Sequence, residues 1–347
     1  MVAAVTLLAA ACQTTDNDGG GGASSGGGDK KIALLLPETK TARYEAADRP
    51  MFEAKVKALC ADCEIIYSNA DQKADQQQNQ ADAALTNGAK VMVLDPVDSA
   101  SAASIVSKAK AQNVPVISYD RLINDADVDY YISFDNEKVG QLQGQALVDK
   151  LKEDGKSSGT VVMINGAPTD NNAKLFKQGA HSVLDGSGFK IGKEYDTPDW
   201  SPDKAQQEME QAITAVGNDG FDGVYVANDG MASGAIAALK GAKIDPASRP
   251  VTGQDAELAA IQRILIGEQL MTVSQPIKKI AETSAELAVN MVNGKTAEAA
   301  AIAKSKVDNG QEQVPSVLLD TIVVLMGRSG LPRFTTDLIS AGRDPDT

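Results

Sequence analysis

The chain is poor in the residues from which most catalytic sites are built. It has one histidine, His181, in the mid-helix context "KQGAHSVL". A Ser–His couple or a histidine-ligated metal is therefore close to excluded, and a surface position suits that residue best. No G-x-S-x-G, P-loop, H-E-x-x-H or strand-following G-x-G-x-x-G occurs. No D-x-D-x-D-G loop is evident for calcium, and no cofactor or metal is expected. Basic residues number 33 against 47 acidic ones, a formal net charge of −14. Neutralising phosphates needs a basic face, so nucleic acid is not a partner. Aromatics make up only 4% of the chain and there is one tryptophan, Trp200, so any aromatic near a strand end is informative.

What is present begins with an apolar stretch, "MVAAVTLLAAACQTT". Its run of about ten apolar residues is too short to span a bilayer and suits a signal-peptide h-region. It ends in small residues and Cys12, and so resembles the lipobox of bacterial lipoproteins, in which that cysteine is acylated after cleavage. Ala9 stands where leucine is more usual, and no basic segment precedes the run. Residues 13–29, rich in Gly and Ser, read as a flexible tether between a lipid anchor and a folded body. The expected location is extracytoplasmic, lipid-anchored to the cell membrane. In an oxidising compartment Cys60 and Cys63 of "ALCADCEII" read as a small structural disulfide, with a free thiol pair as the alternative. A redox motif would place the pair at the opening of a helix after a strand, and here the order is reversed.

From Lys31 the chain alternates. "KIALLLP" reads as a strand and Tyr44 to Leu59 as a helix, then come "EIIYSNA", a helix over 74–86, "KVMVLDPVD", "SAASIVSKAKAQ" and "VPVISYDR". The rhythm restarts at "YYISFDN" and runs through "TVVMINGAP", "FKIGKEYD", "GVYVAND", "PVTGQDA" and "MTVSQP", with helices between. A helix over 277–292 and a last strand, "SVLLDTIVV", follow. Continuous Val/Ile/Leu runs indicate strands covered on both faces, and strand–helix alternation implies right-handed parallel units. At 347 residues the chain has room for two such lobes. The fold class is α/β, two Rossmann-like doubly wound parallel-sheet lobes.

Ligands of parallel sheets bind beyond the carboxyl ends of the strands. The residues there are consistently polar: Asp120 and Arg121, Asp170 to Asn172, Asn228 and Asp229, Gln254 and Asp255, and Gln275. Tyr44 and Trp200 add two aromatic plates. Two carboxylates such as Asp120 with Asp255 or Asp229 can in principle hydrolyse a glycoside. Arg121 beside Asp120 favours the ionised carboxylate, which suits an acceptor rather than a general acid. A neutral polyol fits the same groups, because each hydroxyl donates and accepts while Asp, Asn and Arg supply matching partners. Such charge-assisted bonds contribute roughly 1.5–3 kcal/mol each. Three or four supply the roughly 8 kcal/mol of a micromolar complex.

The blocks "YDRLINDADVDYYISFDNEKVG", "DNNAKLF", "NDGMASGAIAAL", "GQDAELAAIQRI" and "VPSVLLDTI" closely resemble the D-xylose-binding proteins of bacterial ABC transporters, within the ribose/galactose-type (class I) periplasmic sugar-binding family. The likeness runs from about Lys31 to Val324. It implies a type I periplasmic binding protein fold with a three-segment hinge and closure on a monosaccharide, D-xylose first. It also implies a monomer that docks onto the transmembrane subunits of an ABC permease. The implied lobes are 30–134 plus 276–316 and 135–275 plus 317–347, with crossings near Ser133–Asp135, Ser274–Pro276 and Pro315–Leu319. The implied sugar ligands are Arg43, Asp120 and Arg121 on one side and Asn172, Asn228 and Asp255 on the other. Tyr44, where tryptophan is more frequent, and Trp200 are the implied plates. Gln275 stands where xylose binders carry lysine, which bears on the choice of sugar. The tail from "LMGRSG" departs from the family.

Overall fold

The computed structural model describes residues 30–320 and 322–325. Cys12, the Gly/Ser tract and the C-terminal tail lie outside them. In chain order the elements are β1 (Lys31–Leu36), a π-helical turn (Tyr44–Asp48), α1 (Arg49–Leu59), β2 (Glu64–Asn69), α2 (Ala74–Thr86), β3 (Val91–Leu94), α3 (Ala103–Ala111), β4 (Val116–Tyr119) and β5 (Tyr130–Phe134). Then follow α4 (Asn136–Glu153), β6 (Gly159–Asn165), α5 (Asn171–Leu184), β7 (Phe189–Asp196), α6 (Pro202–Val216), β8 (Gly223–Val226), α7 (Asp229–Gly241), α8 (Leu258–Leu265) and β9 (Met271–Ser274). The last are α9 (Ile277–Val292), α10 (Thr296–Ile302), β10 (Ser305–Asp308), β11 (Gln313–Leu319) and β12 (Ile322–Leu325).

One lobe is built on a seven-stranded sheet ordered β10-β11-β5-β4-β3-β1-β2, parallel except for the β10–β11 pair. Strands β3 and β4 are buried along their whole length, as their unbroken apolar runs require. The two faces of this sheet carry separate apolar clusters, Ile32 and Leu34 with Ile280 and Leu287 of α9 on one, Ala33 and Leu35 with Ile105 and Val106 of α3 on the other. The second lobe holds the parallel set β7-β6-β8 and the antiparallel pair β9–β12. Its core joins Leu147 of α4, Met163 of β6, Met209 of α6 and Tyr225 of β8.

The stretch "PVTGQDA", read from its pattern as a strand, makes only two single bridges, Val251 to Val224 and Gln254 to Val273. It still joins β8 to β9 through backbone bonds, Thr252 N donating to Val224 O at 3.1 Å and Val273 N to Gly253 O at 3.0 Å. The Thr252 hydroxyl adds to them by accepting from Val226 N at 2.8 Å and donating to Val226 O at 3.0 Å. Asp255 and Ala256 then turn through left-handed φ of 94° and 49°, which ends any extended run. "SVLLDTIVV", read as one strand, is two: β11 pairs with β5 through Leu319↔Phe134, and β12 pairs with β9 in the other lobe. The chain passes between lobes after Phe134, after Ser274 and at Asp320. The third passage thus falls beyond the expected break at 316, because β11 stays on the first sheet to its end.

Candidate ligand-binding site

All nine side chains singled out as sugar ligands from the sequence line one cavity between the lobes. Most stand just beyond strand carboxyl ends, the place parallel sheets reserve for ligands. Asp120 follows β4 in a left-handed conformation, φ 58°, and Arg121 N then bonds back to Tyr119 O. That turn separates the two neighbours. Asp120 does not bridge to Arg121, contrary to what their adjacency suggests. Its Oδ2 lies 3.2 Å from Arg43 Nη2 and accepts from the Tyr44 hydroxyl at 2.9 Å. Arg121 instead reaches the other lobe, with Nε 2.9 Å from Asp170 Oδ2, and donates Nη1 to Pro96 O at 3.2 Å. Only 2% of Arg121 is exposed.

Arg43 is held from behind by Asp48. Its Nε and Nη2 donate to the two carboxylate oxygens at 3.1 Å each, a bidentate fork, and Tyr119 also donates to Asp48. Arg43 Nη1 donates to Gln275 Oε1 at 3.0 Å, so the residue after β9 meets the first lobe through its amide oxygen and keeps its NH2 group for the cavity. Burial pulls the Arg43 guanidinium down, but Asp120 and Asp48 outweigh it and hold the pKa well above the ordinary value. Arg121 is treated alike, with Asp170 the leading carboxylate. Both cations therefore stay charged. The guanidiniums stand 5.1 Å (Arg43) and 5.8 Å (Arg121) from the Tyr44 ring centroid, so this plate is flanked by cations.

The second lobe contributes two helix N-termini. Asp170 caps α5 by accepting from Asn172 N at 2.8 Å, and the Asn172 NH2 group donates to Asp120 O at 3.1 Å. Asn228 caps α7 through Oδ1, accepting from Met231 N at 2.9 Å. Trp200 Nε1 donates to Asp170 Oδ2 at 3.1 Å, and its ring meets Phe176 edge-on, centroids 6.3 Å apart. A side chain at Gly166 would collide with that ring, its Cβ only 2.1 Å away, so the indole needs glycine there.

Asp255 differs from the other lining carboxylates in lacking a cation at bridging distance among the described residues. It accepts only a 3.3 Å bond from Gln254 Nε2. Burial pushes its pKa up to about 7, against the pull of Arg43. Its backbone N donates to Val273 O at 2.9 Å, and the nearby Asp229, outside the cavity lining, accepts from Gln269 Nε2 (2.7 Å), Thr272 Oγ1 (2.8 Å) and Glu257 N (3.0 Å). Four further lining residues, Thr41, Asp170, Phe176 and Gln254, are not among the nine. Asp170 and Gln254 carry the strand-end signal. Phe176 is an unremarkable position in the amphipathic α5, and only the fold places it on the site.

His181 lies on α5 between Asp185 Oδ1 (3.1 Å) and Glu194 Oε1 (3.0 Å), half-buried and away from the cavity lining. Cys60 and Cys63 form a disulfide between the end of α1 and the start of β2. No helix among the described residues is long and apolar enough to cross a membrane. The cavity offers cations locked by carboxylates, amide donors and three aromatic rings. Such an arrangement can hold hydroxyls and cover apolar C–H faces.

Residues 32–296 match the periplasmic binding protein domain family. The chain is 38% identical to the D-xylose-binding periplasmic protein of Escherichia coli over 85% of this chain and 86% of that one. It is 35% identical to a multiple sugar-binding periplasmic receptor of Rhizobium radiobacter, over 84% and 86%. Its fold superposes with a TM-score of 0.79 on a crystal structure of an ABC transporter solute-binding protein of Clostridium phytofermentans with bound β-D-glucose, at 29% identity, covering 91% of this chain and 99% of the other.

Proposed function

The chain belongs to the periplasmic binding protein family, with the type I fold and the sugar-binding character of its ABC-transporter relatives; from this premise we propose that it binds one neutral monosaccharide, D-xylose first, and hands it to an ABC permease. The observation that carries the reading is the convergence of both lobes on one polar cavity. Arg43, Asp120 and Arg121 grip the sugar from one side, and Asn172, Asn228 and Asp255 from the other. Tyr44 and Trp200 cover its apolar faces, and the Gln275 amide bridges two hydroxyls. Sugar that contacts both lobes populates the closed state, with bending confined to the three passages after Phe134, after Ser274 and at Asp320. Closure presents the loaded monomer to the permease. Acylation of Cys12 tethers the body to the outer face of the cell membrane through the Gly/Ser tract.

D-xylose ranks first because the relative of Escherichia coli bears that name at 38% identity. The neutral Gln275 favours a second reading, a receptor for several pentoses and hexoses, in line with the name of the Rhizobium relative. Thermal shifts with xylose, ribose, arabinose, glucose and galactose separate the two. A ligand at a thousand times its dissociation constant stabilises by about 4 kcal/mol. One large shift favours the specific binder, several favour the broad one, and none removes the proposal.

A further inference from the structure

We infer that Ser99 is a latch: it holds the two lobes together at a point the ligand never touches, and so sets affinity without setting specificity. The inference rests on the sugar-binding reading above. Ser99 lies after β3, 2% exposed, and does not line the cavity. All three of its polar groups are used. Its O accepts from Asn124 N at 2.8 Å within its own lobe. Its N donates to Thr169 O at 2.9 Å and its Oγ accepts from Asn171 N at 3.1 Å, both across the gap. Thr169 Oγ1 adds a third crossing bond to Val97 O at 3.3 Å.

Asn171 opens α5, so its N–H is one of the donors a helix leaves unsatisfied at its start. Asp170 covers the next one, Asn172 N, from within the lobe. Ser99 covers Asn171 N from the opposite lobe, which is possible only when the lobes are together. The latch arm is stiff before it engages. The Gln77 side chain donates to Asp95 O and accepts from Val97 N, both at 2.8 Å, and Asp98 Oδ1 accepts from Ala100 N and Ser101 N. The helix α3 starts at Ala103, two residues after Ser101, where the sequence pattern starts.

A group that stabilises only the closed state scales the apparent affinity of every ligand by one factor, because it alters the population of the competent state and no ligand contact. Ser99→Ala is expected to raise the dissociation constant for D-xylose about five- to tenfold, through faster release, and that for any second sugar by the same factor. Thr169→Val is expected to act in the same direction by about two- to threefold. Calorimetry with D-xylose and D-glucose on the intact chain reads the factors. Unaltered affinity, or factors that differ between the sugars, overturns the latch. If neither sugar binds the unaltered protein, the binding reading fails and small-angle scattering of the ligand-free protein decides the latch separately. A larger radius of gyration in Ser99→Ala then supports it, and an equal radius overturns it.

Discussion

At the residue scale, the account depends on how few charges are left to choose their own partners. Adjacency in the sequence made Asp120 and Arg121 look like one ion pair. The left-handed φ of 58° at Asp120 sends them to different neighbours, and Arg121 crosses to Asp170. That sign of φ at an aspartate leaves no mark in composition or periodicity, so the residues were legible and the pairing was not. Arg121→Ala removes the shared cation of Asp170 and Asp95, whose carboxylates lie 2.9 and 3.6 Å from it. Breaking a buried pair this way costs about 3–5 kcal/mol. Sugar affinity is expected to fall at least about a hundredfold with it, given charge-assisted bonds of roughly 1.5–3 kcal/mol. Calorimetry with unchanged affinity would contradict this. Asp255 carries a pH signature. Its folded pKa is raised from 3.8 to about 7, so between those values the folded protein keeps a proton that the unfolded chain releases. Its contribution to stability therefore falls as pH rises through that window and stays low above it. Asp255→Asn should melt later than the parent at about pH 8, with the gap closing towards about pH 4. A gap that does not vary with pH would count against the assignment.

At the scale of elements, the apolar runs gave away their positions because strands buried on both faces have no room for polar residues. The run 251–255 does lie between β8 and β9 and bonds both through its backbone, but its bridges stay single and the left-handed turn at Asp255 and Ala256 ends it. The boundary at Asp320 was hidden because β11 and β12 are both extended and separated by a very short link, although they belong to different sheets. The Cys60–Cys63 disulfide, three residues apart, fastens the end of α1 to the start of β2. A ring that small restricts the unfolded chain by about 2 kcal/mol, less than a long one. The Cys60→Ser, Cys63→Ser double variant should lose stability of that order in a denaturant titration while its sugar affinity stays the same. A large loss of affinity would mean that α1 and its neighbouring turn, with Arg43 and Tyr44, lean on the disulfide.

At the scale of the whole molecule, two separately cored halves face each other across a cavity lined by polar groups. Repetition of the βαβ rhythm announced two lobes, and polarity at strand ends announced where they face each other. What the sequence could not announce is which contacts cross the gap without a ligand between them, such as Ser99 with Asn171, because those depend on the lobes' mutual placement. The central claim is that this meeting place holds a single uncharged sugar and leaves it intact. Calorimetric titration of D-xylose into the protein tests it most directly. The account predicts saturable heat with one site per chain and unaltered xylose recovered afterwards; absence of saturable heat with xylose and with every related monosaccharide, or recovery of a converted product, would contradict it.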